Sequence, residues 1–255
     1  MARTLATTRT VASSRTLASR SVLPALNVPH FARASTQRLA VNTDTNLNIG
    51  VGVSYSLGCW ASLDDLTTEQ AFIGKSLTTG NQRGYILEYQ QTTGHYRYIA
   101  SADGVNTINV VTNATPLASV LHHVLLTWDA STSGWVFYVD GASSNSGTAN
   151  LNVFSNTASG FIGAYQTGTF ANMNGLIAAA GLWKRALSAT EVLQLYNGGK
   201  ALRYAGLAAG LKTSLAAYWN LISADYNDYS GNGEHLKQLG GVTQVNGITF
   251  SRDLS

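Results

Sequence analysis

The chain has 255 residues, 45% of them apolar and 11% charged, with a formal net charge of +3. A single cysteine, Cys59, excludes an intrachain disulfide and a cysteine-based zinc site, and no run of about 18 apolar residues exists to cross a membrane as a helix. The charged share lies far below the roughly 25% of ordinary domains, so Ser, Thr, Asn and Gln carry the surface, as suits an extracellular or particle-borne β protein.

Residues 1–43 differ from the rest. They hold six arginines (Arg3, Arg9, Arg15, Arg20, Arg33, Arg38) and no acid, which leaves ten basic and thirteen acidic groups for residues 44–255. The basic balance therefore belongs to this segment, and the acidic body is not that of a sequence-specific nucleic-acid reader. An Arg-rich, Ser-rich, acid-free composition fits an organellar transit peptide. It also fits an extended assembly arm that neighbouring subunits order on binding, and the arm is the reading preferred here. A secretory signal needs an unbroken apolar stretch, and Pro24 and Pro29 interrupt "SVLPALNVPHFA".

From residue 50 onward short apolar runs alternate with Gly, Asn, Ser and Thr, which predicts an all-β, two-sheet antiparallel sandwich. Strands are expected near 52–62, 70–76, 83–90, 95–101, 105–111, 120–129, 134–140, 160–165 and 174–183. Cys59 lies beside Trp60 in the first of these and reads as a small buried thiol. In "RGYILEYQQTTGHYRYIAS" a loop at 91–94 sets Tyr89 opposite Tyr96, Glu88 opposite Arg97 and Leu87 opposite Tyr98. Tyr85, Leu87, Tyr89, Tyr96 and Tyr98 then share one face. That row is either a core face with hydroxyls at its rim or a stacking platform for sugar rings.

"HHVLLTWDASTSGWVFYVDG", residues 122–141, reads as two strands that are apolar on both faces, as in the middle of a covered sandwich, and Asp140-Gly141 marks a tight turn. His122 and His123 are neighbours on a strand, face opposite sides and cannot chelate one metal together. One helix is expected, in "LSATEVLQLYNGG": Ser188 and Glu191 form a capping box, Val192, Leu195 and Tyr196 make the apolar stripe, and Asn197-Gly198 supplies the stop.

These features together resemble a known family. "LHHVLLTWDASTSGWVFYVDG" is similar to the central hairpin of laminin-G-like, concanavalin-A-like jelly rolls. "GFIGAYQTGTFANMNGLIAAAGLWKRALSATEVLQLYNGG" is similar to their closing segment, and the resemblance spans roughly residues 50–200. The acidic pair of that closing segment is replaced here by Ala178-Ala179. "LAAYWNLISADYNDYSGNGEHLKQLGG", residues 215–241, resembles the motif that usually opens such a domain. The expected organisation is thus an arm at 1–43, a jelly roll at 44–200 and a C-terminal segment at 201–255 that docks on the sandwich and completes it.

The resemblance implies candidate functions. Glucanases of this fold need two carboxylates close together; Glu88 is alone on its strand, so no enzyme is expected and no catalytic residue is assigned. Relatives with calcium hold it through loop oxygens, which makes Asp225 and Asp228 in "DYNDYSGNGE" the candidate ligands, although Asx-rich turns also explain the cluster. No cofactor is otherwise expected. Tyr96, Tyr98 and Tyr165 are the candidate glycan-binding residues. The preferred function is a non-enzymatic structural or adhesive component of a large assembly, a bacteriophage virion protein (capsid-decorating or tail-associated) whose arm binds neighbouring subunits and whose jelly roll faces outward, and a homo-oligomer is expected. The alternatives are a secreted or cell-surface carbohydrate-binding module and an organelle-imported accessory subunit.

Overall fold

The computed structural model describes residues 26–42, 44–167 and 170–248. Fifteen strands appear among them: β1 (Leu26–Phe31), β2 (Arg38–Val41), β3 (Tyr55–Leu63), β4 (Gln70–Leu77), β5 (Gln82–Gln90), β6 (His95–Ala100), β7 (Ile108–Val111), β8 (Leu121–Asp129), β9 (Gly134–Val139), β10 (Ala142–Thr148), β11 (Gly160–Ile162), β12 (Gly175–Trp183), β13 (Leu215–Trp219), β14 (Leu236–Leu239) and β15 (Thr243–Ile248). They build two antiparallel sheets. Sheet A runs β10-β9-β8-β3-β12-β1-β15, with β13 also on β12; sheet B runs β14-β2-β11-β4-β5-β6-β7.

The main core lies between the sheets. Strand β3 contributes Tyr55, Leu57, Cys59, Ala61 and Leu63, β8 contributes Val124, Leu126 and Trp128, and sheet B answers with Leu87 and four tyrosines. The hairpin register is as the alternation requires: Leu87 pairs with Tyr98, Glu88 with Arg97 and Tyr89 with Tyr96. Buried hydroxyls and indole nitrogens find backbone carbonyls, Tyr55 Oη on Leu151 at 2.8 Å, Tyr85 Oη on Leu47 at 3.3 Å and Trp128 Nε1 on Ala149 at 3.0 Å. The tyrosine row is therefore core; the Tyr85 and Tyr89 hydroxyls reach backbone carbonyls of Leu47 and Leu66 at the rim, whereas the Tyr98 hydroxyl is buried and reaches no such acceptor.

Strands β3 and β8 are apolar on both faces because sheet A is covered on both. Its outer face carries Trp60, Leu125, Tyr138, Ala178 and Trp183 under Val192, Leu195, Leu202, Leu207 and Leu211. The cover is helix α1 (Ala189–Tyr196) and the segment after it. Ser188 caps α1, with the reciprocal Glu191 bond of a capping box, and Asn197 ends it in the left-handed region. Tyr196 stacks on Trp60 with centroids 5.7 Å apart. Asp140 and Gly141 both have positive φ, 52° and 76°, and join β9 to β10 as a two-residue turn.

Residues 26–41, read from sequence as part of an arm, belong to the body. Val28, Phe31 and Leu39 are fully buried there, and burial of that apolar surface outweighs the arm-like composition. Pro29 is tolerated because the β1–β12 ladder comprises only His30↔Leu176 and Phe31↔Gly175, so Pro29 pairs with β15 alone. Arg33 is bound by Asp65 through both carboxylate oxygens, at 3.0 and 2.9 Å, and Arg38 lies in β2 with its guanidinium 5.7 Å from the Phe161 ring centroid. Both are body residues and not arm residues. Arg3, Arg9, Arg15 and Arg20 lie outside the described residues. At the other end, residues 215–248 supply β13 to sheet A, β14 to the edge of sheet B beside β2, and β15 to sheet A beside β1.

Candidate functional site: the outer face of sheet B

Among the described residues no helix packs on the outer face of sheet B, and Tyr165 and Ala171, from beyond β11, lie against it. Pleating sends Ile86, Glu88, Arg97 and Ile99 outward, opposite the tyrosine row. Beyond β11, residues 164–167 and 170–172 lie against the sheet, flanked by Met173 N–H donating to the Gly163 carbonyl at 2.9 Å and Ala71 N–H to the Ala171 carbonyl at 2.8 Å. Tyr165 packs with Ala71, Ile86, Ile99 and Ala171 into a small apolar cluster. Gly74 makes this approach feasible, since a Cβ there would sit 2.3 Å from Tyr165 Cβ. Phe170 meets Tyr165 edge to face at 5.8 Å and is itself 55% exposed.

Beside this cluster runs a row of charges. Arg97 Nε donates to Glu88 Oε1 at 2.6 Å, and its Nη2 donates to Glu69 Oε1 at 3.1 Å. Glu88 is only 2% exposed. Burial pushes its carboxyl up to about 7 against the opposing pull of Arg97. The Tyr165 hydroxyl is raised to about 12, first by burial and then by the Glu88 and Glu69 charges. The face thus offers an exposed ring, hydrogen-bond acceptors and a planar donor within one patch. The Glu88–Arg97 pairing is legible from strand register, whereas Glu69 arrives from the turn before β4, and Phe170 from the residues beyond β11.

The sequence-level glycan candidates do not fit as exposed platforms. Tyr96 and Tyr98 are 1% and 0% exposed, on the core face; the pleat that aligns them also turns them inward. Tyr165 is 4% exposed and forms the floor of the patch instead of its stacking surface. Glu88 is the one carboxylate of its strand, and the fold brings Glu69 to the same guanidinium from the residues before β4.

The calcium candidates are likewise committed elsewhere. Asp228 Oδ1 accepts from the Tyr218 and Ser230 amides at 3.0 and 2.9 Å, and Oδ2 accepts from Ser230 Oγ and the Glu234 amide at 2.7 and 3.1 Å. Asp225 accepts from the Asn227 amide and side chain and from the Tyr229 hydroxyl. Four donors on Asp228 leave no oxygen lone pair directed at a cation, so this carboxylate organises the loop. Among the described residues no three His, Cys, Asp or Glu side chains converge as a metal site. His122 and His123 face opposite sides: His122 Nδ1 lies 2.8 Å from Asp140 Oδ2, while burial against Trp60 lowers His123 to about 4. No helix of the described residues is long and apolar enough to cross a membrane.

Comparison with known proteins adds three findings. The laminin G-type family model described as "Concanavalin A-like lectin/glucanases superfamily" matches residues 33–193. No curated protein sequence matches the chain. Among solved structures, the chain is similar to a Bacteroides ovatus protein described as carbohydrate-binding, with TM-score 0.65 and 14% identity over 91% of this chain and 62% of that one. It is also similar to the heptameric SAP-like pentraxin of Limulus polyphemus, with TM-score 0.52 and 11% identity over 90% and 92% of the two chains. A third is the CBM40 of the Ruminococcus gnavus IT-sialidase bound to α2,6 sialyllactose, with TM-score 0.52 and 12% identity over 68% and 99%. The chain spans 62% of the length of the first of these, and at such identities the likeness is one of fold.

Proposed function

The chain belongs to the concanavalin A-like lectin/glucanases superfamily, and from that membership we propose that it is a non-enzymatic carbohydrate-binding protein whose site is the outer face of sheet B. The observation that carries this reading is Phe170, a large ring left 55% exposed beside a carboxylate–guanidinium–carboxylate row. A sugar ring presents apolar C–H edges to an aromatic face and hydroxyls to acceptors and donors at its rim. Glu88 and Glu69 both engage the one guanidinium of the row, which leaves it no cation to pair with an acidic sugar, so the patch suits neutral, hydroxyl-rich ones. The described function of the Bacteroides relative and the sialyllactose bound to the CBM40 support carbohydrate as the ligand class, without bearing on the sign of its charge.

Lack of catalysis is part of the proposal: Glu69 and Glu88 are both tied to Arg97, and neither is free to activate a water. The virion role expected from the arm has no counterpart among these relatives, whereas the carbohydrate-binding alternative does. A location outside the cell is proposed with it.

Glycan-array screening of the full chain, followed by titration calorimetry on the hits, tests the reading. The expected result is binding of a neutral oligosaccharide, weakened about tenfold by Phe170→Ala at unchanged melting midpoint, with no release of reducing ends. An array without a bound neutral glycan, or an affinity indifferent to Phe170→Ala, would overturn the site. Release of reducing ends would overturn its non-enzymatic character.

A further inference from the structure

A second aromatic surface lies on the far side of the molecule, in the C-terminal segment and beyond the residues 33–193 that match the family. Tyr204, in a short 3-10 turn at Tyr204–Gly206, and Tyr229, just after β13's partner Asp228, set their rings 25° from parallel with centroids 6.1 Å apart. Tyr229 is 37% exposed. Both rings are held. The Tyr229 hydroxyl donates to Asp225 Oδ2, and its amide donates to the Tyr218 carbonyl at 2.9 Å. The Tyr204 amide donates to Asn220 Oδ1 at 2.8 Å, and its ring leans on buried Tyr218 at 6.3 Å.

The charges around this pair are asymmetric. Lys212 Nζ stands 4.7 Å from the Tyr204 ring centroid, and no described carboxylate lies within ion-pair distance of it. Arg203 adds positive potential beside the Tyr229 hydroxyl. The two carboxylates beside Tyr229 are engaged within their own loop, Asp228 by four donors and Asp225 by the Asn227 amide and side chain and the Tyr229 hydroxyl. The Lys212 ammonium has only the Tyr204 ring against it, so an anionic group is the ligand chemistry that would complete it.

We infer that Tyr229, Tyr204 and Lys212 form a second binding platform, for a sugar residue that bears a carboxylate. The sugar's C–H face rests on the exposed Tyr229 ring, and its carboxylate pairs with the Lys212 ammonium. Because the rings are fixed by their hydroxyl and backbone bonds, little side-chain freedom is lost on binding. The two sites then differ in sign: the sheet B face takes neutral sugars and this platform acidic ones. The inference stands on its own residues and does not require the sheet B site to bind anything.

Affinity electrophoresis of the full chain in gels containing polygalacturonate, polysialate or a neutral galactomannan tests it. The expected result is retardation by at least one of the two acidic polymers, relieved by added salt. Tyr229→Ala and Lys212→Gln should each weaken that retardation about three- to tenfold, Lys212→Arg should retain it, and Phe170→Ala should leave it unchanged. Melting curves establish that Tyr229→Ala is folded, and Lys212→Gln, a surface change, stands in if it is not. No retardation by either acidic polymer, retardation indifferent to Lys212→Gln, or retardation abolished by Phe170→Ala would each overturn the inference. Loss of neutral-glycan binding in Phe170→Ala bears on the sheet B site alone.

Discussion

Replacing Glu88 by Gln should change how stability depends on pH more than how large it is. Glu88 is buried, and its carboxyl is raised from the ordinary 4.5 to about 7, chiefly by loss of water. An acid whose folded value is raised stabilises the fold most fully below its unfolded value, and that contribution is lost as pH rises through the folded one. The interval corresponds to about 3 kcal/mol. His123 acts with the opposite sign. Burial lowers it from 6.5 to about 4, so its contribution is complete above 6.5 and is lost as pH falls towards 4, again by about 3 kcal/mol. Across roughly pH 4.5 to 6.5 the two slopes oppose each other, and the natural protein should vary little in stability. The low-lying carboxylates Asp103 and Glu191, both near 2, finish titrating beneath that window.

Glu88→Gln removes one of the two slopes while keeping an acceptor for Arg97, which retains Glu69. Urea unfolding midpoints measured at half-unit steps of pH should then show the variant gaining about 3 kcal/mol from about pH 4.5 to about pH 6.5, where the natural protein stays nearly flat. Parallel profiles for the two proteins would refute the reasoning and place the Glu88 carboxyl in an ordinary, solvated environment.

Three further outcomes follow from particular contacts. Trp128→Ala empties a site that is 1% exposed between the sheets and should cost about 3–5 kcal/mol, read as a lowered denaturation midpoint; an unchanged midpoint contradicts the core assignment. Gly74→Ala drives a methyl into Tyr165 and should displace Tyr165 and the Phe170 ring packed on it, so that neutral-glycan affinity falls even in samples that melt cooperatively. Asp228→Ala strands four donors and should cost about 2–3 kcal/mol, whereas chelator or added calcium should leave the melting midpoint of the natural protein in place; a calcium-dependent midpoint would return Asp228 to the role of ligand.

Much of the sandwich is visible in the primary structure because pleat and burial are periodic. The alternation of Tyr85, Leu87 and Tyr89 against Tyr96 and Tyr98 sets the register of β5 and β6, and Ser188, Glu191 and Asn197 bound α1 from both sides. Strands β1 and β2 escape notice because Pro29 and the arginines give them the composition of a tail, and only the tertiary burial of Val28, Phe31 and Leu39 reveals them. Strand β10, "ASSNSGT", has no apolar residue larger than Ala to betray it and is held by its ladder to β9. The candidate site is only half visible. Glu88 opposite Arg97 follows from register, but Glu69, Tyr165 and Phe170 come from outside the strands, and no local pattern encodes their placement.

The pairing of β15 with β1 and of β14 with β2 has a consequence for biosynthesis. Leu26 lies against Ile248, and Val41 against Leu236, so the first strands among the described residues are completed by the last. A nascent chain emerging from the ribosome would carry β1 and β2 with open edges until residues 236–248 had been made. Closure of both sheets is therefore a late, long-range event, and folding should be slow for a domain of this size, with the unfinished edges in need of protection from neighbouring chains.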